Sequence, residues 1–235
     1  MFRSSPRTTT YVHRILLTLP VLLIVLAGLS QSQAQFATQA KQRVVATPVQ
    51  AAPISDNAVF LELAKTVGQA RAAERLIDYK RKVDPASQPR YLAIVDFSQR
   101  STSKRLYVFD TVEKKVDAYY VAHGRGSEGP SDDGIAENFS NVDGSFSSSL
   151  GVYRTLDDYN GHHGHSLRLQ GLEPTNSNAL DRAVVLHTAD YVSENFIKQT
   201  GRLGRSEGCF AVERSVGDLL INELKNGAYI IAWKG

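Results

Sequence analysis

The stretch Gly201-Arg-Leu-Gly-Arg-Ser-Glu-Gly-Cys-Phe-Ala-Val212 contains the only cysteine among the 235 residues of the chain. Cys209 follows Gly208, and a glycine allows the backbone to come close to a reacting group. The neighbouring glutamate, serine and arginine residues make a polar setting that is unlike a buried core strand. A continuously apolar run ends at His187, shortly before this stretch. We therefore predict that Cys209 is a nucleophile and that His187 is its general base.

The first 34 residues are predicted to be a secretory signal peptide. Three arginines precede an apolar run over 15–29, and small residues follow at 32 and 34. This is the order of the basic region, the apolar region and the cleavage site in signal peptides. The apolar run is short for spanning a bilayer, although an uncleaved N-terminal anchor remains an alternative. The predicted location is an exported one, the periplasm or cell envelope.

Removal of residues 1–34 leaves a chain with no net formal charge. Lysine plus arginine falls from 27 to 24, which equals the number of acidic residues, 24. Nucleic-acid backbones are bound through an excess of cations that displace counterions, so we predict no nucleic-acid partner. Contact with a membrane is expected only through the signal segment. A lone cysteine also excludes a disulfide within the chain.

Three further parts follow the signal segment in the predicted domain organisation. Residues 35–54 have no hydrophobic period and are predicted to be a linker. Residues 55–88 carry apolar side chains at helical spacing, which predicts an N-terminal helical segment. Residues 89–235 are predicted to form the catalytic domain, because short β-branched and aromatic runs alternate there with polar turns.

The catalytic part is predicted to be mainly β. The runs Tyr91–Phe97, Arg105–Phe109 and Val116–Ala122 are separated by short polar turns, which favours an antiparallel meander. The apolar run 183–186 is typical of a strand buried on both faces, and 228–233 is predicted to be a closing strand. We predict a β-sandwich-like domain with peripheral α-helices, α+β overall.

A histidine-rich stretch offers an alternative based on zinc. His162, His163 and His165 lie close together in the sequence, and His187 is a further possible ligand. No acidic or cysteine residue stands at a recognisable ligand spacing, and the flanking glycines favour a tight turn. We therefore predict neither a metal nor a cofactor, and a zinc peptidase remains an alternative interpretation.

His187 followed by Ser206-Glu-Gly-Cys209 resembles the catalytic signature of the murein L,D-transpeptidase family (YkuD-like), in which a strand-terminal histidine precedes Ser/Thr-x-Gly-Cys. The longer pattern, with Phe139-Ser-Asn and Ser148-Ser-Leu-Gly before the histidine, is most similar to a divergent branch of that family. The resemblance extends from about Tyr91 to the C-terminus. It implies a β-sandwich-like catalytic domain.

The resemblance also implies a reaction, peptidoglycan L,D-transpeptidation. Cys209 would attack the carbonyl of a diaminopimelate residue in a stem peptide, release D-alanine and form an acyl-enzyme. An amine of a neighbouring stem peptide, or water, would then resolve this intermediate. An L,D-carboxypeptidase or cysteine hydrolase of muropeptides is an alternative, and so is a non-catalytic cell-wall binding module.

Roles for catalytic residues follow from the same comparison. Cys209 is expected to be the nucleophile and His187 the base. The backbone carbonyl of Thr188 is expected to orient the imidazole. Independently of the resemblance, the chemistry of acyl transfer requires donors to the developing oxyanion, and the backbone N–H groups around Gly208 and Cys209 are expected to supply them.

The expected substrate-binding residues are Arg205, Ser206, His123, Ser149 and Tyr153. A serine-rich stretch before residue 150 either lines a groove for a peptide backbone or forms an ordinary polar loop, and the sequence leaves both open.

The chain departs from the common family pattern at two positions. Glu207 stands where the family has histidine, and Ala211 stands where it has arginine. We expect Arg205 or Arg202 to replace the missing arginine in holding a stem-peptide carboxylate, because a guanidinium pairs with a carboxylate through two parallel hydrogen bonds.

Overall fold

The computed structural model describes residues 56–235, and the predicted signal peptide and linker lie outside this range. The described residues form helices α1 to α4 and one sheet with strands β1 to β8. In chain order, the elements are α1 Asp56–Thr66, α2 Ala70–Val83, β1 Tyr91–Asp96, β2 Leu106–Asp110, β3 Lys115–Tyr119, β4 Gly151–Gly161, β5 Gly164–Gly171, β6 Val185–Thr188, α3 Glu194–Thr200, β7 Phe210–Val212, α4 Arg214–Leu224 and β8 Tyr229–Trp233. None of the helices in this part of the chain is long and apolar enough to cross a membrane.

The sheet is mixed, with the strand order β3-β2-β1-β8-β4-β5-β6-β7. Strands β1, β2 and β3 pair antiparallel, which confirms the predicted meander. The last strand, β8, runs parallel to β1 and antiparallel to β4, so the C-terminal strand lies inside the sheet. Strands β6 and β7 pair in parallel at the end of the strand order. The fold is mainly β with peripheral helices, as the sequence predicts.

The sheet closes nearly completely on itself. Ala122, just after β3, forms an isolated bridge with Ala211 in β7, and its N–H donates to the Ala211 carbonyl at 2.8 Å. The two ends of the strand order therefore meet. This nearly closed sheet with its peripheral helices agrees with the predicted mainly β, sandwich-like domain.

The two faces of the sheet carry separate apolar clusters, because successive side chains of a strand point to opposite sides. In β1, Ala93 and Val95 belong to the larger core cluster, whereas Leu92 and Ile94 face the N-terminal helices. Phe60 of α1 is fully buried there and contacts Phe109 edge to face, with ring centroids 4.9 Å apart. Helices α1 and α2 therefore pack on the sheet.

Replacing Phe60 should test how strongly this helical layer supports the sheet. We expect Phe60→Ala to lower the free energy of unfolding by about 3–5 kcal/mol, since it removes a fully buried aromatic ring. Urea unfolding followed by circular dichroism measures the change. Glu62→Ala, an exposed position on the same helix, is the control and should change stability by less than about 0.5 kcal/mol. A loss below 1 kcal/mol for Phe60→Ala would contradict the packing role.

Candidate active site

The strand that carries His187 lies directly beside the start of β7. Leu186 pairs with Phe210 and His187 pairs with Ala211 in a parallel register. Cys209 immediately precedes Phe210, so this pairing places the cysteine next to β6. The buried apolar run before His187 fixes the strand in the core, and the imidazole itself is only 2% exposed.

The residues 204–209 form the loop that presents the cysteine, which we call the cysteine loop. Within it, the Ser206 hydroxyl donates to the Cys209 carbonyl at 2.7 Å and accepts from the Gly208 N–H at 3.2 Å. From outside, the Ser206 N–H donates to the His123 carbonyl at 3.0 Å, and the Ser206 carbonyl accepts from the Arg125 N–H at 2.8 Å. The segment 122–128, which we call the strap, thus holds the cysteine loop on the side away from β6.

Glycine is required at the point where the strap and the cysteine loop meet. Gly208 has φ of +118°, and a Cβ there would lie 2.9 Å from the Ser147 carbonyl oxygen. A Cβ on Gly124 would lie 2.7 Å from the Gly208 Cα. Both distances are shorter than side chains tolerate, so the close approach depends on the missing side chains.

A cavity of about 460 Å³ opens beside this loop, and its wall includes both Cys209 and His187. Ser206 and Arg205 also line it, and so do His163 and Arg182. The structure thus brings four of the residues predicted for the site to one cavity. Helices α1 and α2 contribute no residue to the cavity wall, so the N-terminal helices do not cover it.

A hydrogen bond to the backbone carbonyl of Thr188, the next residue in β6, selects one tautomer of His187. Its Nδ1 lies 2.9 Å from the backbone carbonyl oxygen of Thr188. A carbonyl oxygen can only accept, so Nδ1 carries the proton and Nε2 has a lone pair available as a base. The ring of His163 stacks on the imidazole at 4.3 Å between centroids. Burial is the largest effect and lowers the pKa of His187; the hydrogen bond to Thr188 opposes it and His163 adds to it, so the net shift favours the neutral imidazole.

Burial favours the neutral thiol form of Cys209. Its Sγ donates to the carbonyl of Ala183 at 3.6 Å. Burial raises the pKa of Cys209, and Glu207 adds to this effect, whereas the backbone N–H of Val185 and the charge of Arg182 oppose it. Since the pKa of His187 is lowered at the same time, the site favours the neutral forms of both groups over a thiolate–imidazolium pair.

The N–H group of Gly208 has a hydrogen-bond partner within the cysteine loop, and its expected role toward the oxyanion stays a prediction. Its N–H is directed at the Ser206 hydroxyl at 3.2 Å, so this group shapes the loop. The expectation for the Cys209 N–H stays a prediction.

His123 does not line the cavity, contrary to the expectation that it contacts substrate. It is 1% exposed and lies between two charged side chains, with Nδ1 2.8 Å from Arg105 Nη2 and Nε2 2.9 Å from Glu128 Oε2. Because arginine only donates, Nδ1 accepts and Nε2 donates to the carboxylate. Burial and the charge of Arg105 lower its pKa to about 4. Its contribution is structural, through the strap.

Ser149 and Tyr153 are also interior residues and do not line the cavity. Both are fully buried. The Tyr153 hydroxyl donates to the Ser149 carbonyl at 2.8 Å, and the two hydroxyl groups lie 2.9 Å apart. Burial raises the pKa of Tyr153 to about 12. Their expected contact with substrate is therefore replaced by an internal hydrogen-bond pair under the cavity wall.

The arginines expected to hold a substrate carboxylate are already paired with carboxylates of the protein. Arg205 Nε donates to Glu128 Oε2 at 2.7 Å, and its Nη2 contacts Asp132. Arg202 also pairs with Asp132, at 3.1 Å, and donates to the Leu203 carbonyl. A substrate carboxylate would have to compete with these ion pairs.

Sequence reasoning missed Arg182 as a cavity residue. It precedes β6 in a turn that follows no helical or strand period, and it lies far in the sequence from the cysteine. The one sequence feature that could have indicated Arg182 is its position directly before the apolar run 183–186.

The three clustered histidines do not converge. The two ring nitrogens of His165 face carboxylate acceptors, Nε2 at 2.9 Å from Asp158 and Nδ1 at 2.7 Å from Asp218, whereas His163 stacks on His187. Within residues 56–235, no three histidine, cysteine or acidic side chains are grouped as metal ligands. The geometry therefore does not favour the zinc peptidase alternative.

The fold and the site together describe a mainly β domain whose nearly closed sheet presents a cysteine and a histidine to one cavity. The family model of the L,D-transpeptidase catalytic domain matches residues 64–233 of this chain. The chain therefore belongs to the L,D-transpeptidase catalytic domain family, which confirms the resemblance seen in the sequence.

Solved structures in the comparison include distant L,D-transpeptidases. One from Mycobacterium smegmatis is 13% identical, with 61% of this chain and 58% of that chain covered and a TM-score of 0.38. One from Stackebrandtia nassauensis is 15% identical, with 76% and 77% covered and a TM-score of 0.37. The chain thus spans less than two thirds of the length of the first. A search of curated proteins finds no match.

The glycine requirement at Gly208 can be measured as stability. We expect Gly208→Ala to lower the free energy of unfolding by at least about 2 kcal/mol, because it adds a backbone clash to an unfavourable φ. Gly68→Ala is the matched control, since Gly68 also has positive φ but open space around it, and should cost about 1 kcal/mol. Equal losses for both variants would refute the clash.

The charge of Glu207 should be visible in the titration of the thiol. Glu207→Gln removes a negative charge that raises the pKa of Cys209, so the thiolate fraction at neutral pH should increase. We expect iodoacetamide to alkylate Cys209 roughly twofold faster at pH 7, with the pH profile shifted to lower pH. Glu113→Gln, at an exposed position in the turn between β2 and β3, should leave the profile unchanged. A slower reaction in Glu207→Gln would contradict the sign.

Proposed function

We propose that this protein is a peptidoglycan L,D-transpeptidase that uses Cys209 as its nucleophile and His187 as its base. The observation that carries the proposal is the shared cavity, in which the cysteine and a histidine of defined tautomer both line the wall. Membership of the L,D-transpeptidase catalytic domain family supports the reaction class.

In the proposed first half-reaction, His187 Nε2 accepts the thiol proton as Sγ attacks the diaminopimelate carbonyl of a donor stem peptide. A tetrahedral oxyanion forms, and the carbon–nitrogen bond to D-alanine then breaks. The departing amine takes the proton back from His187. The products are free D-alanine and a thioester between Cys209 and the stem peptide.

In the proposed second half-reaction, an amine of an acceptor stem peptide attacks the thioester. His187 Nε2 takes a proton from this amine, and the thiolate leaves and is reprotonated by the imidazolium. A new amide bond links the two stems, and the site returns to its neutral state. Starting from neutral partners suits this cycle, because the buried site need not hold a separated charge pair between turnovers.

The proposed setting is the periplasm or cell envelope, where stem peptides are exposed. This part of the proposal is supported by the signal-peptide pattern of residues 1–34, which lie outside the described residues.

The test is incubation of the mature protein with tetrapeptide-bearing muropeptides, followed by mass spectrometry. We expect cross-linked dimers and free D-alanine from the wild type, and a loss of at least about a thousandfold in Cys209→Ala, since no other thiol can form the acyl-enzyme. Shortened monomers without dimers would identify a carboxypeptidase instead. Cross-links formed by Cys209→Ala would refute the nucleophile, and binding of muropeptides without any product would favour a binding module.

A further inference from the structure

The cavity wall contains two arginines that differ in what neutralises their charge. Arg205 is paired with Glu128 and Asp132. Arg182 takes part in no salt bridge with an aspartate or glutamate of residues 56–235, and its hydrogen-bond partners are oxygen atoms of residues 140–149. The positive charge of Arg182 is therefore not compensated by an ion pair in this part of the chain.

Arg182 is held in place by residues 140–149, which we call the serine segment. Its Nη1 donates to the Ser140 carbonyl at 2.9 Å and contacts the Ser149 hydroxyl at 3.5 Å. Its Nη2 donates to the Ser147 carbonyl at 2.7 Å and to the Ser145 hydroxyl at 3.3 Å. A planar guanidinium bonded to four oxygens of one segment has little freedom to move.

The guanidinium lies against the residue that precedes the nucleophile. A Cβ built on Gly208 would be 3.2 Å from Arg182 Nη2 and 2.9 Å from the Ser147 carbonyl oxygen, which is one of the acceptors of Arg182. The cation and the cysteine loop are thus in direct proximity. Four of its five donor hydrogens point to the serine segment, so Arg182 is poorly suited to grip a substrate carboxylate through a bidentate pair. Its effect on the site comes from its charge.

Other ionisable groups surround Cys209 from each neighbouring element. They are His187 on β6, Tyr153 on β4, Glu207 on the cysteine loop, Tyr191 before α3, and Asp143, His163 and Arg205 in the rest of the cavity wall. Burial raises the pKa of both tyrosines to about 12, so they stay neutral when the thiol titrates. Arg205 is paired with carboxylates, whereas Arg182 is a permanent cation in the cavity wall that has no carboxylate partner among residues 56–235.

We infer that Arg182 is a positioning residue that keeps an unpaired positive charge beside Cys209 and stabilises the negative charge that forms on sulfur during deprotonation. The serine segment fixes the place of this charge, and the turn before β6 ties it to the strand of His187. The inference rests on the proposed role of Cys209 as nucleophile. Burial opposes ionisation of the Cys209 thiol, and the charge of Arg182 partly offsets this effect.

The experiment measures the rate of alkylation of Cys209 by iodoacetamide as a function of pH, with the full mature chain. Arg182→Gln removes the charge, and we expect alkylation at pH 7 to be about three- to tenfold slower, with the profile shifted to higher pH. Arg182→Lys keeps the positive charge but loses the planar fork that the serine segment holds, so its alkylation rate should lie between those of the wild type and Arg182→Gln. Arg81→Gln, at an exposed position on α2, is the control and should match the wild type.

Folding of each variant is checked by near-ultraviolet circular dichroism. If Arg182→Gln does not fold, citrulline introduced at position 182 by protein ligation keeps the planar fork and removes only the charge, and the same alkaline shift is expected. A folded neutral variant with a wild-type profile would overturn the inference. So would Arg182→Lys shifting as far as Arg182→Gln, because the charge would then not be the cause.

The thiol measurement is independent of cross-linking. A protein that makes no muropeptide product but shows the Arg182-dependent profile would refute the proposed reaction and keep this inference. A protein that forms cross-links, but whose alkylation profile does not change with the charge at position 182, would support the proposed reaction and refute this inference.

Discussion

The parallel pairing of β6 with β7 is the interaction on which the candidate active site depends. It places Cys209, one residue before β7, against the strand that carries His187. On the opposite side, the strap bonds to Ser206 and bridges to β7. A loop held by backbone hydrogen bonds on both sides has lost most of its conformational freedom before any substrate binds. The position of the thiol is therefore set by main-chain contacts, with glycine at the tightest point.

Burial decides the electrostatics of this site. It raises the pKa of Cys209 and lowers that of His187, so both partners are neutral at rest. Nearby charged side chains are paired with one another. Glu128, for example, accepts hydrogen bonds from both His123 and Arg205. Such pairing satisfies buried charges, but it also removes Arg205 as a free cation. The electrostatic effect on the sulfur then depends on charged groups that have no ion-pair partner, such as Arg182.

Much of the fold could be predicted from local patterns. The meander, the strand ending in His187 and the glycine-flanked cysteine follow from residue types and spacing that act over a few neighbours. The substrate-contact residues were harder to predict. His123 and Tyr153 carry polar groups in suitable stretches, yet both groups are used inside the protein. Whether a polar side chain faces a cavity or a buried partner depends on contacts with distant segments, and local periodicity does not report these.

By itself, the sequence determined a mainly β domain, a single thiol and a histidine at the end of a buried strand, because these features depend on composition and short-range spacing. The tertiary structure decided which segments meet. The nearly closed sheet brings the strap to the cysteine loop, and the serine segment brings Arg182 to the same place. Those contacts join residues that are far apart in the chain, so their geometry exists only after the sheet has curved and the loops have packed.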